Sequence, residues 1–238
     1  MRHLFLLAAL FCACISYAQI RVQERLPKSK TGFALTTAKT RAKIYYGVND
    51  ALVIKRSAEL FARDIQMVTG QKPELIPKRE RAKALVIVGT IEKNQWICEL
   101  AQKGKIDIRP LQGAWERYLI QTVDNPSPGV AKALVIAGSD RRGAAYGLFS
   151  ISEMMGVSPW YWWGDVPVKT HKALYVDAPP TYSKTPSVKY RGIFLNDEDW
   201  GLKPWAAKTF EKERGNIGPR TYAKICELLL RLKANHLA

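Results

Sequence analysis

The sequence predicts an α/β protein, with an N-terminal mixed α/β sheet domain followed by one further β/α unit. Three observations carry this. Residues 84–88 and 133–137 are almost wholly apolar, with the length and composition of strands buried on both faces. Segments with apolar residues at steps of three and four alternate with them, and several close on a glycine. After a proline-punctuated stretch, a second strand-like run at 193–195 ends in Asn196, Asp197, Glu198 and Asp199, and a helical pattern follows. A strand that delivers polar groups from its C-terminal end is how barrel and open α/β enzymes place their chemistry.

Taken in order, residues 1–18 open with Arg2 and His3, continue as an apolar run over 4–15, and close with Ser16, Tyr17 and Ala18. This is the pattern of a secretory signal peptide cleaved after Ala18, which predicts a secreted or periplasmic protein. No other run reaches the roughly 18 apolar residues of a membrane span, so none is expected. Residues 19–32 are polar and basic and read as a linker or a first edge. Strands follow at 33–36 and 43–46. Gly47 with Asn49 and Asp50 supplies a turn and an N-cap for a helix over 50–69, in which Ile54, Ala58, Phe61, Ile65 and Val68 form one stripe. Gly70 is its C-cap.

Residues 74–76 give a short strand and 84–88 a clear one. Gly89 and Thr90 lead to a helix over 92–102 that ends at Gly104. Alternation predicts a strand over 117–123, and Asn125, Pro126, Ser127, Pro128 and Gly129 make an explicit turn. The strand at 133–137 is expected beside 85–88.

The segment 138–147, with Gly138, Gly143 and Gly147, turns this strand into a helix reaching Met155. A phosphate cradle at the helix N-terminus is one reading. The favoured one is that Ser139 or Asp140 caps the helix while the glycines let it lie close on the sheet, because no Gly-Lys-Ser/Thr occurs and the spacing is not that of a dinucleotide fingerprint. Trp160, Tyr161, Trp162 and Trp163 follow, and four successive aromatics cannot all face one core. They stack on a sugar, pack against a neighbouring domain, or do both. A strand at 172–176 and prolines at 179, 180 and 186 set the boundaries: an α/β domain over 33–180, a connector over 181–187, and a β/α unit over 188–238. In its helix Tyr222, Ile225, Cys226, Leu229 and Leu232 form the apolar stripe, with Lys224, Glu227 and Arg231 on the other side.

The 37 Lys and Arg against 21 Asp and Glu leave a net charge of +16, which reads either as the mark of an anionic partner or as the ordinary basicity of an exported protein. The charges are scattered along the chain, and an exported protein seldom meets nucleic acid, so an acidic polysaccharide is the better candidate. Cys12 and Cys14 leave with the signal. Cys98 and Cys226 sit on separate helical segments and read as small buried hydrophobes without a disulfide. His3, His171 and His236 give no ligand spacing, so neither metal nor cofactor is expected.

Several of these stretches, taken together, carry a resemblance. Residues 137–147, the tryptophan loop at 159–167, the run from Lys189 to Glu198 and residues 222–235 resemble glycoside hydrolase family 115. From Phe33 onward the similarity is continuous. The family contains exo-acting α-glucuronidases that remove glucuronic or 4-O-methylglucuronic acid from xylan with inversion. The resemblance implies an α/β domain packed on the start of an incomplete (β/α)8 TIM barrel, since about 250 residues are needed to close one. It therefore implies a fragment, inactive alone, whose chain stops within or just after the first barrel helix.

Inversion needs a carboxylic acid for the leaving oxygen and a carboxylate that activates water across the ring. By resemblance Asn196 and Asp197 lie in the uronate pocket, with Asp197 the catalytic or transition-state-contacting carboxylate and the others on later strands. On the residues alone, a cap or loop turn is the favoured reading of Asp197, and the resemblance reverses that preference. Glu198 and Asp199 read as loop charges or partners of Arg191. Trp162 or Trp163 is the candidate sugar-facing aromatic. The alternative is a non-catalytic accessory or carbohydrate-binding domain related to the N-terminal domains of glycoside hydrolases.

Overall fold

The computed structural model describes residues 19–196 and 199–238. The expected signal peptide, with Cys12 and Cys14, and the candidate residues Asp197 and Glu198 lie outside the described residues.

The central sheet has six strands in the order β4, β3, β5, β7, β6, β9. These are β3 (Lys43–Tyr46), β4 (Leu75–Ile76), β5 (Ala82–Thr90), β6 (Tyr118–Ser127), β7 (Val130–Gly138) and β9 (Thr181–Tyr182). The pairs β3–β4, β3–β5 and β5–β7 are parallel, and β6 is antiparallel to both β7 and β9. The two apolar runs do lie side by side, with Leu85 opposite Ala133 and Val88 opposite Ile136. Both faces of this pair are covered, which explains why neither run alternates. On one face Val86, Val88, Leu134 and Ile136 meet helices α1 (Leu52–Thr69) and α3 (Arg141–Met154). On the other, Leu85, Ile87, Ala133 and Val135 meet Trp96, Ile97 and Leu100 of α2 (Gln95–Gln102).

A second, antiparallel sheet orders β1 (Arg21–Gln23), β8 (Leu174–Asp177) and β2 (Gly32–Thr36). Residues 21–23 are therefore an edge strand rather than linker, fixed by the buried Ile20 that precedes them. Likewise Thr181 and Tyr182 are not free connector. Tyr182 pairs with Leu119, and its hydroxyl donates to the carbonyl of Asp107 at 2.6 Å.

Helix ends show how local chemistry was redistributed. Gly70 closes α1 with φ 71°. Asp50 does not cap that helix. Its carboxylate instead accepts from the backbone N–H groups of Ala51 at 2.8 Å and Thr90 at 2.7 Å, tying the turn after β3 to the end of β5. Asn94 is the N-cap of α2, accepting from Trp96 at 3.1 Å and Ile97 at 3.3 Å.

Asp140 caps α3, accepting from Arg142 at 2.9 Å and Gly143 at 2.8 Å. A Cβ on Gly143 would stand 2.2 Å from the carbonyl oxygen of Arg117, and one on Gly147 2.6 Å from Ile136. The glycines of this segment thus serve close packing of helix on sheet.

The final part is β10 (Gly192–Ile193), a short helix α4 (Leu202–Trp205) that runs into a π-helical turn over Ala206–Phe210, α5 (Pro219–Arg231) and β11 (His236–Leu237). Residues 201–218, between β10 and α5, thus hold this short helix and turn. After α5 the chain forms a further short strand. β11 lies parallel to β10, with Gly192 opposite His236 and Ile193 opposite Leu237, so a β-α-β unit is present. Among the described residues no helix is long and apolar enough to cross a membrane, and no group of three His, Cys, Asp or Glu could hold a metal ion.

Candidate functional site

The site is assembled where the β-α-β unit meets the α/β domain. Ile193, Leu195 and Leu237 of the strand pair pack with Ile225 and Leu229 of α5 and with Trp163. That cluster fixes the exit of β10, from which the chain continues to Asn196. Asn196 is exposed, and Asp197 lies outside the described residues. Asp199 pairs with Lys203 one turn ahead at 3.1 Å and not with Arg191.

Arg191 is held by groups that sequence reading did not single out. Its guanidinium donates to Glu116, and its Nε to the carbonyl of Lys233 at 3.0 Å. The Glu116 carboxylate is fully buried, also accepts from Asn235 at 2.8 Å, and lies 2.6 Å from the Arg142 Nε as an ion pair. Glu116 sits in the left-handed region at φ 56°, sparsely used by residues other than glycine, and its backbone N–H donates to Asp140 at 2.8 Å. The capping residue of α3 therefore also positions the carboxylate that anchors the start of β10.

The tryptophan loop reaches across to α4 and α5. Trp162 lies edge-on to Trp163, Phe210 and Trp205, with ring centroids 4.7, 5.0 and 6.0 Å away, and the Trp163 Nε1 donates to the carbonyl of Lys224 at 3.3 Å. Lys224 places its ammonium 5.0 Å from the Trp162 ring centre. One side of this packing opens into a cleft of about 610 Å3 lined by Trp162, Trp163, Asp165, Gly201, Leu202 and Trp205. Packing between the two parts and a concave aromatic surface thus occur together. Trp205 and Phe210 were missed because they lie in a stretch with no apolar period. The only sequence signal is their aromatic character.

Beneath the loop runs a network of charges. Tyr161 donates to Glu227 at 2.9 Å, Arg63 of α1 donates to the same carboxylate at 2.6 Å, and Arg231 at 3.0 Å. Burial pushes the Glu227 carboxyl up, but Arg231, Arg63 and Lys224 outweigh it and hold the group at about 2. Burial and the Glu227 charge push the Tyr161 hydroxyl to about 12, and burial lowers the Lys224 ammonium against the pull of Glu227.

The side of α5 that carries Glu227 and Arg231, opposite the apolar stripe, is therefore buried as well, because α1 meets it with matching charges. Cys226, expected inside, is exposed, and Cys98 is half-buried; both are free thiols.

Glu211 organises the start of α5. Its carboxylate accepts from the N–H groups of Gly218 at 3.1 Å, Arg220 at 3.3 Å and Thr221 at 2.9 Å, the work a side-chain cap does in helices not preceded by glycine. Burial would raise its pKa, but these bonds and that from the Thr221 hydroxyl hold it low.

Residues 183–238 match the model of glycosyl hydrolase family 115. Among solved structures the chain is similar to a family GH115 4-O-methyl-α-glucuronidase, BtGH115A, with specificity for decorated arabinogalactans. The identity is 36%, with a TM-score of 0.71, over 86% of this chain and 25% of that one. A mutant Streptomyces plicatus β-hexosaminidase follows at 12% identity and TM-score 0.45, over 92% of this chain and 32% of that one. The Flavobacterium johnsoniae chitobiase is at 16% identity and TM-score 0.44, over 92% of this chain and 25% of that one. These two likenesses are too slight to carry inference. No curated protein matches the chain.

The mixed α/β fold and the unit that follows it place the chain among the glycoside hydrolases. More narrowly, it is recognised as a member of family 115, by the family model over its last quarter and by the solved glucuronidase over most of its length. The chain spans a quarter of the length of that glucuronidase.

Proposed function

We propose that this chain forms the uronate-binding corner of an exo-acting, inverting α-glucuronidase. Such an enzyme would be exported and would release glucuronic or 4-O-methylglucuronic acid side chains from xylan. The observation that carries the reading is the shared cleft. The segment that follows β10, represented by Gly201 and Leu202, and the tryptophan loop, represented by Trp162 and Trp163, line one concavity. Indole faces suit the C–H surface of a sugar ring, and a carboxyl-rich strand exit suits the anomeric centre.

In this reading β10, α5 and β11 begin a (β/α)8 barrel, and Asp197 is the catalytic or transition-state-contacting carboxylate. Asn196 donates to the sugar, and the partner carboxylates stand on later strands. Three quarters of the solved relative have no counterpart in these 238 residues, so turnover by them alone is not expected. The backbone carrying the uronate is the finer question, since the relative's specificity is for decorated arabinogalactans.

The test is titration with a short xylo-oligosaccharide bearing one 4-O-methylglucuronate, read by indole side-chain NMR and calorimetry. Saturable binding that perturbs Trp162 or Trp163 and is weakened by Asp197→Ala and Asn196→Ala supports the proposal. Binding that ignores both substitutions overturns it. The same titration with a 4-O-methylglucuronate-capped arabinogalactan fragment decides the backbone.

A further inference from the structure

Arg81, Lys83, Lys103 and Lys105 converge on a cleft of about 770 Å3 at the N-terminal ends of β5 and β7. Pro126, Pro128 and Val130 of the β6–β7 turn also line it, and among the described residues no carboxylate does. Its cations come from two places in the chain, the start of β5 and the segment after α2, which is why they look scattered in the sequence.

The backbone that carries them is fixed. Ala82 donates to the carbonyl of Gly129 at 3.0 Å, and Lys105 to that of Leu100 at 2.9 Å. The Lys105 ammonium donates to the Asn125 carbonyl, holding the turn beside it. Gly129 has φ 82°, and a Cβ there would stand 2.8 Å from the Arg81 side chain, so the arginine lies directly on the turn.

Nearby cations are neutralised. Lys43 pairs with Glu74 and Glu80 at 2.9 and 2.8 Å, Arg79 with Glu99 at 2.8 Å, and Lys132 with Asp124 at 3.1 Å. Among the described residues Arg81, Lys83, Lys103 and Lys105 have no such ion pair. Like charges gathered without ion-pair partners oppose folding and favour an incoming anion.

We propose that this cleft is an anchoring site for a carboxylate-bearing polysaccharide, separate from the exit of β10. β5 and β7 run from the cleft to the end where Asp140 positions Glu116 against Arg191. Nine residues at about 3.3 Å each put the two regions roughly 25–30 Å apart. A single sugar cannot bridge that span, whereas a decorated polymer can. That the anion is a glycan rests on the family reading; the cation cluster does not.

The experiment uses the 238-residue chain and its Arg81→Gln/Lys83→Gln/Lys103→Gln/Lys105→Gln variant in affinity electrophoresis and calorimetry. The probes are 4-O-methylglucuronoxylan, undecorated xylan, dextran sulfate and a single-stranded RNA oligomer. The expected result is glucuronoxylan binding that weakens about tenfold in the variant and again between about 50 and 500 mM salt, with undecorated xylan bound weakly by both proteins. Equal binding of glucuronoxylan by parent and variant overturns the proposal. So does tighter binding of undecorated xylan, dextran sulfate or RNA than of glucuronoxylan.

Should the fourfold variant not fold, the single Lys83→Glu and Lys103→Glu variants, both at exposed positions, carry the same test. The singly decorated oligosaccharide of the preceding section reports the strand exit alone. Its failure sinks that site and leaves the cleft, while polymer binding indifferent to the four cations does the reverse.

Discussion

Arg231, at the end of α5, lays its two terminal nitrogens on the Asp64 carboxylate of α1 at 2.7 and 2.8 Å, with both side chains nearly out of water. This bidentate pair joins the α/β domain to the β-α-β unit across 167 residues of sequence. Its partner Glu227 receives Arg231 as well, at 2.9 Å, so one guanidinium neutralises two buried carboxylates. The junction is therefore specified by geometry as much as by apolar contact, since a planar guanidinium satisfies two acids in only one arrangement.

Removing one side of this pair leaves a bare buried charge. Arg231→Met is expected to lower stability by about 3–5 kcal/mol in denaturant titration. The double variant Asp64→Leu/Arg231→Met should recover most of that loss. A double variant no better than the single would show that the pair is not the source of the cost.

Acid should loosen the junction through Glu227. Its carboxyl is held at about 2 in the folded chain against an ordinary 4.5, so its contribution is fully present above pH 4.5 and is lost as pH falls toward 2. The shift corresponds to roughly 3 kcal/mol. Thermal melts of the native chain should fall steeply across that window, and those of Glu227→Gln, starting lower, should fall less. Parallel curves would exclude Glu227 as the titrating group.

Close packing of α3 on the sheet gives a steric prediction. Gly143→Ala would force a methyl to 2.2 Å from the Arg117 carbonyl, where backbone must move. A loss of about 3 kcal/mol is expected, with the Asp140 and Glu116 contacts disturbed alongside. Gly156→Ala, with nothing within 4 Å but φ 92°, should cost less, through backbone strain alone. The order of the two melting temperatures checks this.

The aromatic junction predicts coupled losses. Trp205 stacks on Phe210 at 5.5 Å and lines the cleft with Trp162 and Trp163. Trp205→Ala should destabilise the protein by about 2–4 kcal/mol and also weaken binding of the uronic-acid oligosaccharide. Trp205→Phe should restore stability better than binding. Unchanged binding in Trp205→Ala would remove this wall from the site.

Periodicity and punctuation alone determined most of the α/β scaffold. The runs at 84–88 and 133–137 announced the buried parallel pair because burial on both faces demands continuous apolar sequence. Gly70, Asp140 and Gly143 announced helix ends and close approaches because their local chemistry admits few other uses. The tryptophan loop was legible as unusual, though not its partners. What only the tertiary structure decided lies where two distant segments must satisfy each other. The inward turn of Glu227 and Arg231, the exposure of Cys226, the clasp of Glu116 on Arg191 and the aromatic role of 202–210 all depend on which surface arrives opposite. A charged residue is costly to bury except against its complement, and that complement, as Asp64 is for Arg231, stands too far along the chain for any local pattern to show it.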